Sequence, residues 1–257
     1  MRQPKCCPRH GRIFDPAAML AALLLGGASL VFPVSFRAEP GKDKPKIPAV
    51  RWDEEHPGCT FSFGDDGRFR YGLWSDDVGV TLSVDSQELE KVHRRHEPFF
   101  AVLVNVRYRG QAALELDTEN FSLEFVKHFR VVQTPLDPEA FAQKVQDDAD
   151  TVDYEAAREA QKHPQRKEEK EAYVRAFQKD SAELLEFVNK NSLRPTRLGP
   201  GNPETSGWVL FSTNSKWIGG WKKQEEFILR VPVDGKIFEF PFKLPPKPGE
   251  VLLRKRE

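Results

Sequence analysis

Cysteine is scarce in this chain. There are three in 257 residues, two of them adjacent at Cys6 and Cys7, so no disulfide framework can staple the fold and its core must come from apolar packing. Neither charge sign is in excess: 39 Lys and Arg balance 39 Asp and Glu, which removes the basic surplus expected of a binder of nucleic acid or anionic membrane. Catalytic signatures are missing as well. The chain has no Gly-x-Ser-x-Gly, phosphate loop, dinucleotide fingerprint or His-Glu-x-x-His, so no enzyme chemistry and no cofactor is expected from its motifs. What is present is apolar bulk, with 39% hydrophobic residues including 19 Phe and 5 Trp. That is enough to fill a core in one or two domains.

A long uncharged run occurs near the N-terminus. Arg2, Lys5, Arg9 and Arg12 precede a stretch from Pro16 to Phe36 without a charged side chain. A basic segment followed by an apolar one predicts a secretory signal or signal anchor over residues 1–38, because the charges stay on the cytosolic side while the apolar run partitions into the bilayer. Gly26, Gly27, Ala28 and Ser29 offer a small-residue cleavage site, while a run of about 20 residues can also remain as an anchor. Either way the remainder is expected to be exported across the cytoplasmic membrane, to the periplasm or cell surface. Residues 39–58 begin with a Pro- and Lys-rich stretch and are read as a linker.

From residue 59 the apolar period becomes two. Phe61 and Phe63, then Phe69, Tyr71 and Leu73, flank Gly64-Asp65-Asp66-Gly67 and predict a hairpin. Val78 to Val84 alternate likewise. Phe99 to Tyr108 is apolar on both faces near its start, which predicts a central strand. Shorter strands are expected within Leu114–Phe125, Phe129–Val132 and Gly207–Ser212. A closing hairpin follows, Phe227–Val233 and Lys236–Leu244, joined by Asp234-Gly235, whose residue types suit a turn with positive φ at both central positions. Pro232 and Pro241 cannot donate to a ladder and are expected at edges or bulges.

Between the β blocks the period is that of a helix. Asp137-Pro138-Glu139 is a helix start. Phe141, Val145, Ala149, Val152 and Ala156 then share one stripe; Pro164 interrupts; Tyr173, Phe177, Leu184 and Val188 form a second stripe. A helical hairpin over residues 137–191 follows, with its seam packed on itself or on the sheet. It carries 9 basic and 14 acidic residues, and the excess lies in its first helix.

The fold class expected is therefore mainly β with an α insertion: an antiparallel β-sandwich, in parts 59–136 and 192–245, plus the hairpin and a tail at 246–257. The strand Pro98-Phe-Phe-Ala-Val-Leu-Val-Asn-Val-Arg-Tyr-Arg109, the later Pro203-Glu-Thr-Ser-Gly-Trp-Val-Leu-Phe211 and the closing hairpin resemble the exported immunoglobulin-like domains of unknown function in bacterial envelope proteins. The resemblance implies fold and compartment and carries no site residues. The lipidation Cys common in that group is missing, and an insertion of this length is large for a sandwich connection.

Two constellations are candidates for sites. His56 and Cys59 with His93 and His96 could complete a tetrahedral Zn²⁺ site if the fold joins them, although their spacing matches no recognised finger and Arg94 and Arg95 would oppose a cation. Surface histidines are the ordinary alternative. Trp217 and Trp221 on a Gly-rich loop, and Asp147, Asp148 and Asp150 on the acidic helix, are candidate partner contacts, against the ordinary alternatives of packing and a solvated helix face. The function expected is a non-enzymatic exported or membrane-tethered binding module with a protein partner. The alternative is an assembly subunit of an envelope complex, whose hairpin packs on a neighbouring copy.

Overall fold

Twelve strands and two helices follow one another in the computed structural model, which describes residues 47–85, 99–127, 130–213 and 224–244. Residues 1–38, read as signal or anchor, lie outside the described residues, as does the tail from 246. One sheet contains β2 (Cys59–Phe63), β3 (Arg68–Ser75), β4 (Val78–Asp85), β5 (Phe99–Tyr108) and β10 (Glu204–Ser212) in the order β10-β5-β4-β3-β2, all antiparallel. The second contains β1 (Ala49–Arg51), β7 (Ser122–Phe125), β8 (Val131–Gln133), β11 (Glu225–Val233) and β12 (Lys236–Leu244) in the order β1-β12-β11-β7-β8, antiparallel except for the parallel β1–β12 pair. A short ladder joins β6 (Leu114–Leu116) to β9 (Thr196–Leu198).

The two sheets face each other across one apolar core. Alternate residues of β5, from Phe100 through Val102, Val104 and Val106, meet Phe227, Leu229 and Val231 of β11 and Phe238 and Phe240 of β12, all buried. Phe100 stacks on Phe227 with centroids 5.2 Å apart, and Phe227 stacks in turn on Phe242 at 5.1 Å. The architecture is thus an antiparallel β-sandwich with a helical insertion between β8 and β9.

The turn chemistry follows the sequence. Asp234 and Gly235 have φ of 52° and 66°, which closes β11 and β12 with a two-residue turn whose twist matches the strands. That turn makes Val233 and Lys236 a hydrogen-bonded pair, so Pro232 and Pro241 fall at non-hydrogen-bonded positions of this ladder and their nitrogens point away from it. On the far side of each, the neighbouring strand has already ended. β7 pairs with β11 only as far as Arg230, and β1 with β12 only as far as Glu239. Each proline therefore occupies a local edge inside a nominally interior strand.

Two sequence expectations need correction. The stretch read as linker contains β1, and Trp52 behind it is buried, with its backbone N–H donated to the Glu239 carbonyl at 2.8 Å; a strand of three residues is too short to leave a periodic signal. The short strands expected within Leu114–Phe125 are β6 and β7, which belong to different sheets because Asp117 turns the chain by accepting from the Glu119 N–H at 2.9 Å and from Asn120 Nδ2. On the second helix Tyr173 is exposed and Val174 takes the buried position.

Candidate functional site

The helical hairpin begins as its sequence dictates. Asp137 caps α1 (Pro138–Lys162) by accepting the Ala140 N–H at 2.7 Å, and Pro138 occupies the first turn, where its missing N–H costs nothing. Pro164–Arg166 form a single 3₁₀ turn that reverses the chain into α2 (Lys167–Asn191). Near this tip Lys170 bridges to Glu159 at 2.7 Å, and the hydrogen bond from that ammonium holds the Glu159 carboxyl below its ordinary range. At the other end Arg194 bonds Glu139 at 3.0 Å and ties the chain leaving α2 to the first turn of α1.

The base of the hairpin is seated on the outer face of the β10-β5 sheet. Phe141 and Val145 of α1 and Leu184 and Val188 of α2 form a second apolar cluster with Phe99 and Ala101 of β5 and Leu210 of β10. Phe141 meets Phe99 edge-on at 5.4 Å, and Phe187 lies 5.6 Å from Trp208. The two-faced apolar start of β5 is explained by this arrangement: one face fills the sandwich and the other carries the helices. Arg68 reaches across the sheet to place its guanidinium 4.9 Å from the Trp208 ring, a cation–π contact at the margin of the helical cover.

The chain segments flanking the hairpin also guard an edge. β10 is the last strand of its sheet. The Leu136 N–H bonds the Leu210 carbonyl at 2.7 Å on the way into α1, and the Leu193 N–H bonds the Trp208 carbonyl at 2.9 Å on the way out of α2. Pairing groups that would otherwise be exposed are thus occupied. Leu193 crosses so close to Gly207 that a Cβ there would sit 2.5 Å from both its Cα and its N.

Beyond this seat, among the described residues, the hairpin packs helix on helix. No residue of α1 after Ala149 is buried, whereas α2 contributes Val174 and Phe177 to the seam. Ala156, Ala157 and Ala160 of α1 and Val174 of α2 floor a groove of about 490 Å³ in this outer half. The acidic residues singled out by sequence lie nearer the base. Asp147 and Asp150 are exposed and accept from Gln143 and Gln146, one turn earlier, at 2.8 and 3.0 Å, while Asp148 is half-buried. Tyr154, on the same helix, is 70% exposed.

The structure does not bring together a metal constellation among the described residues. His56 Nδ1 accepts the Gly58 N–H at 3.2 Å within its own turn. Cys59 is half-buried and packed against the sandwich core, and its Sγ accepts the Asp53 N–H at 3.4 Å. His93 and His96 lie outside the described residues, as do Trp217 and Trp221. Sequence reasoning missed the groove, since alanine contributes little to an apolar period; the signal present was Ala156, Ala157 and Ala160 close together on α1. Among the described residues no helix is long and apolar enough to cross a membrane. No family profile, curated protein or solved structure matches this chain.

Proposed function

We propose that the chain is a non-enzymatic binding module of the cell envelope, in which an immunoglobulin-like sandwich serves as a rigid platform and the helical hairpin is its contact surface. The observation that carries this reading is the way the hairpin is built. Its base is fixed to the sheet by Phe141, Val145, Leu184 and Val188, while its outer half keeps a groove and a charged rim turned to solvent. A helix pair fixed at one end presents side chains in a defined geometry, which lowers the ordering cost of binding a partner. The uncharged stretch from Pro16 to Phe36 supports export, with membrane attachment if it is retained, and the neutral overall charge favours a protein partner over nucleic acid.

The test is affinity capture of envelope proteins by the full chain, repeated with residues 137–191 replaced by a short Gly/Ser linker. Partners recovered by the first and lost by the second support the hairpin as the contact surface. An identical set of partners from both would remove it from the reading.

A further inference from the structure

The groove on the outer half of the hairpin faces away from the sandwich. At about 100° per residue, Ala160, Asp153 and Ala157 lie roughly 100°, 120° and 160° around α1 from Phe141, whose ring packs against the sheet. A second molecule can therefore approach this side without meeting the body of the first.

We propose that this side is a self-association surface: two copies stack hairpin on hairpin about a two-fold axis parallel to the helices, giving a four-helix bundle with the sandwiches outside. The inference rests on the hairpin being the contact surface and commits it to one partner, a second copy of this chain. Charge on the two rims selects that partner and that arrangement. The α1 rim carries Asp153 and, one turn nearer the base, Asp150. The α2 rim carries Arg175 and, one turn nearer the base, Lys179. The helices are antiparallel neighbours with Ala156 and Val174 lining the same stretch of groove, so these four charges lie at nearly the same height along the hairpin. Of the charged residues lining the groove, α1 supplies Asp153, while α2 supplies Lys167, Lys170 and Arg175 against a single acid, Glu171. The two-fold lays α1 of each copy over α2 of the other, so Asp150 and Asp153 meet Lys179 and Arg175 of the other copy, and symmetry makes each contact twice. An antiparallel stack would set α1 on α1 and oppose acid with acid.

Shape agrees with charge. The small floor of α1, Ala156, Ala157 and Ala160, would face the larger Arg175 and Gln178 stems of the other copy's α2, so small opposes large across the bundle. Tyr154, now 70% exposed, stands beside the contact. Each helix has 25 residues, which at ~1.5 Å per residue and ~10 Å width gives a hairpin face of roughly 700 Å² per copy, close to the ~800 Å² per partner of a standard specific interface.

The test uses two differently tagged copies of the full chain, co-expressed, extracted in mild detergent and analysed by co-purification and by sedimentation over a concentration series. Wild-type copies should co-purify and sediment as a dimer. D150K/D153K alone, or R175E/K179E alone, should weaken pairing by about tenfold or more, since the altered rim then faces like charge, and co-expression of the two variants should restore pairing to within about threefold, because both acid–base contacts re-form. Ala157→Glu places a carboxylate on the groove floor and should abolish pairing while circular dichroism remains unchanged. A monomer at every concentration up to about 100 μM overturns the proposal; so does pairing that ignores the charge reversals. If the full chain captures other envelope proteins through residues 137–191 and never itself, the two-fold bundle fails while the binding-module reading stands.

Discussion

Replacing Gly207 by alanine tests whether the hairpin's exit is locked to the sheet. On propensity alone the substitution should help, since glycine in a strand sacrifices backbone entropy and a tolerated Gly→Ala gains about 0.4–1 kcal/mol. The structure reverses the sign. The new methyl would lie 2.5 Å from Leu193 Cα and N and 2.9 Å from the Ser192 carbonyl carbon. These are backbone atoms, held by the Leu193 N–H bond to the Trp208 carbonyl at 2.9 Å and by the Arg194–Glu139 pair at 3.0 Å. Relief requires the chain to lift off β10, and overpacking of this kind costs about 1–3 kcal/mol. The measurement is the thermal or urea midpoint of the full chain beside Gly199→Ala, where a Cβ meets nothing within 4 Å. Gly199→Ala should raise the midpoint slightly, and Gly207→Ala should lower it by roughly 2–4 °C for each kcal/mol lost. Hydrogen exchange at the Leu193 amide should accelerate only in the latter. A midpoint for Gly207→Ala equal to or above wild type would refute the close crossing.

Three other substitutions probe separate parts of the molecule. Phe141→Ala should cost about 3–5 kcal/mol locally, seen as proteolytic cleavage of α1 and α2 while the Phe100–Phe227 core keeps its near-ultraviolet signal; loss of both together would show that hairpin and sandwich unfold as one unit. Arg230 donates to Glu124 at 2.6 Å and to Glu239 at 2.8 Å, with Glu124 almost wholly buried. Burial opposes its charge, but the bonds to the two carboxylates outweigh that and raise its pKa. Arg230→Met should therefore destabilise by about 2–4 kcal/mol, less than a fully buried pair because Arg230 is partly exposed, and restoring more than half of that loss with Glu124→Gln would confirm that the stranded carboxylate is the cause. The hydrogen bond from Asn105 Nδ2 to Glu204, opposed by desolvation and helped by Arg107, lowers the Glu204 pKa from 4.5. A depressed folded-state value gives stability that is present above 4.5 and lost as pH falls through the lower value, so Asn105→Ala should shift the Glu204 side-chain titration upward by NMR and flatten the acid limb of stability; an unmoved titration would refute the assignment.

The elements legible in the sequence are those whose partners are close in the chain or whose pattern is long. The Gly64–Gly67 and Asp234-Gly235 turns carry their own conformational demand, and the alternation of β5 persists for ten residues. β1 and β9 are three residues each and exist because β12 and β6 offer them edges, information that resides far away in sequence. The exchange of Tyr173 for Val174 is of another kind. Both are apolar and adjacent, so a stripe drawn through Phe177 accepts either, and only the angle at which α1 meets α2 decides which is buried. The same angle turns Asp148 toward partial burial while its neighbour Asp147 is left exposed.

The acidic character of α1 acquires a more definite meaning from this geometry. A solvated helix needs charge, but it has no reason to gather four acids and no base over two turns, as α1 does from Asp147 to Asp153. Here Asp150 and Asp153 stand a turn apart toward the groove and Asp147 a turn before them, with Asp147 and Asp150 braced by glutamines a turn away. The cations near the same height belong to α2, where Lys179 makes only a long exposed contact with Glu183 at 3.8 Å. Intrahelical pairing between residues one turn apart mixes the signs along α2, at Lys167–Glu171 and Lys190–Glu186, but not along this stretch of α1. Segregation across a groove leaves each rim incomplete within one chain and complementary to the opposite rim of another, so charge reversal on one rim with rescue by reversal on the other is the most discriminating experiment on this surface.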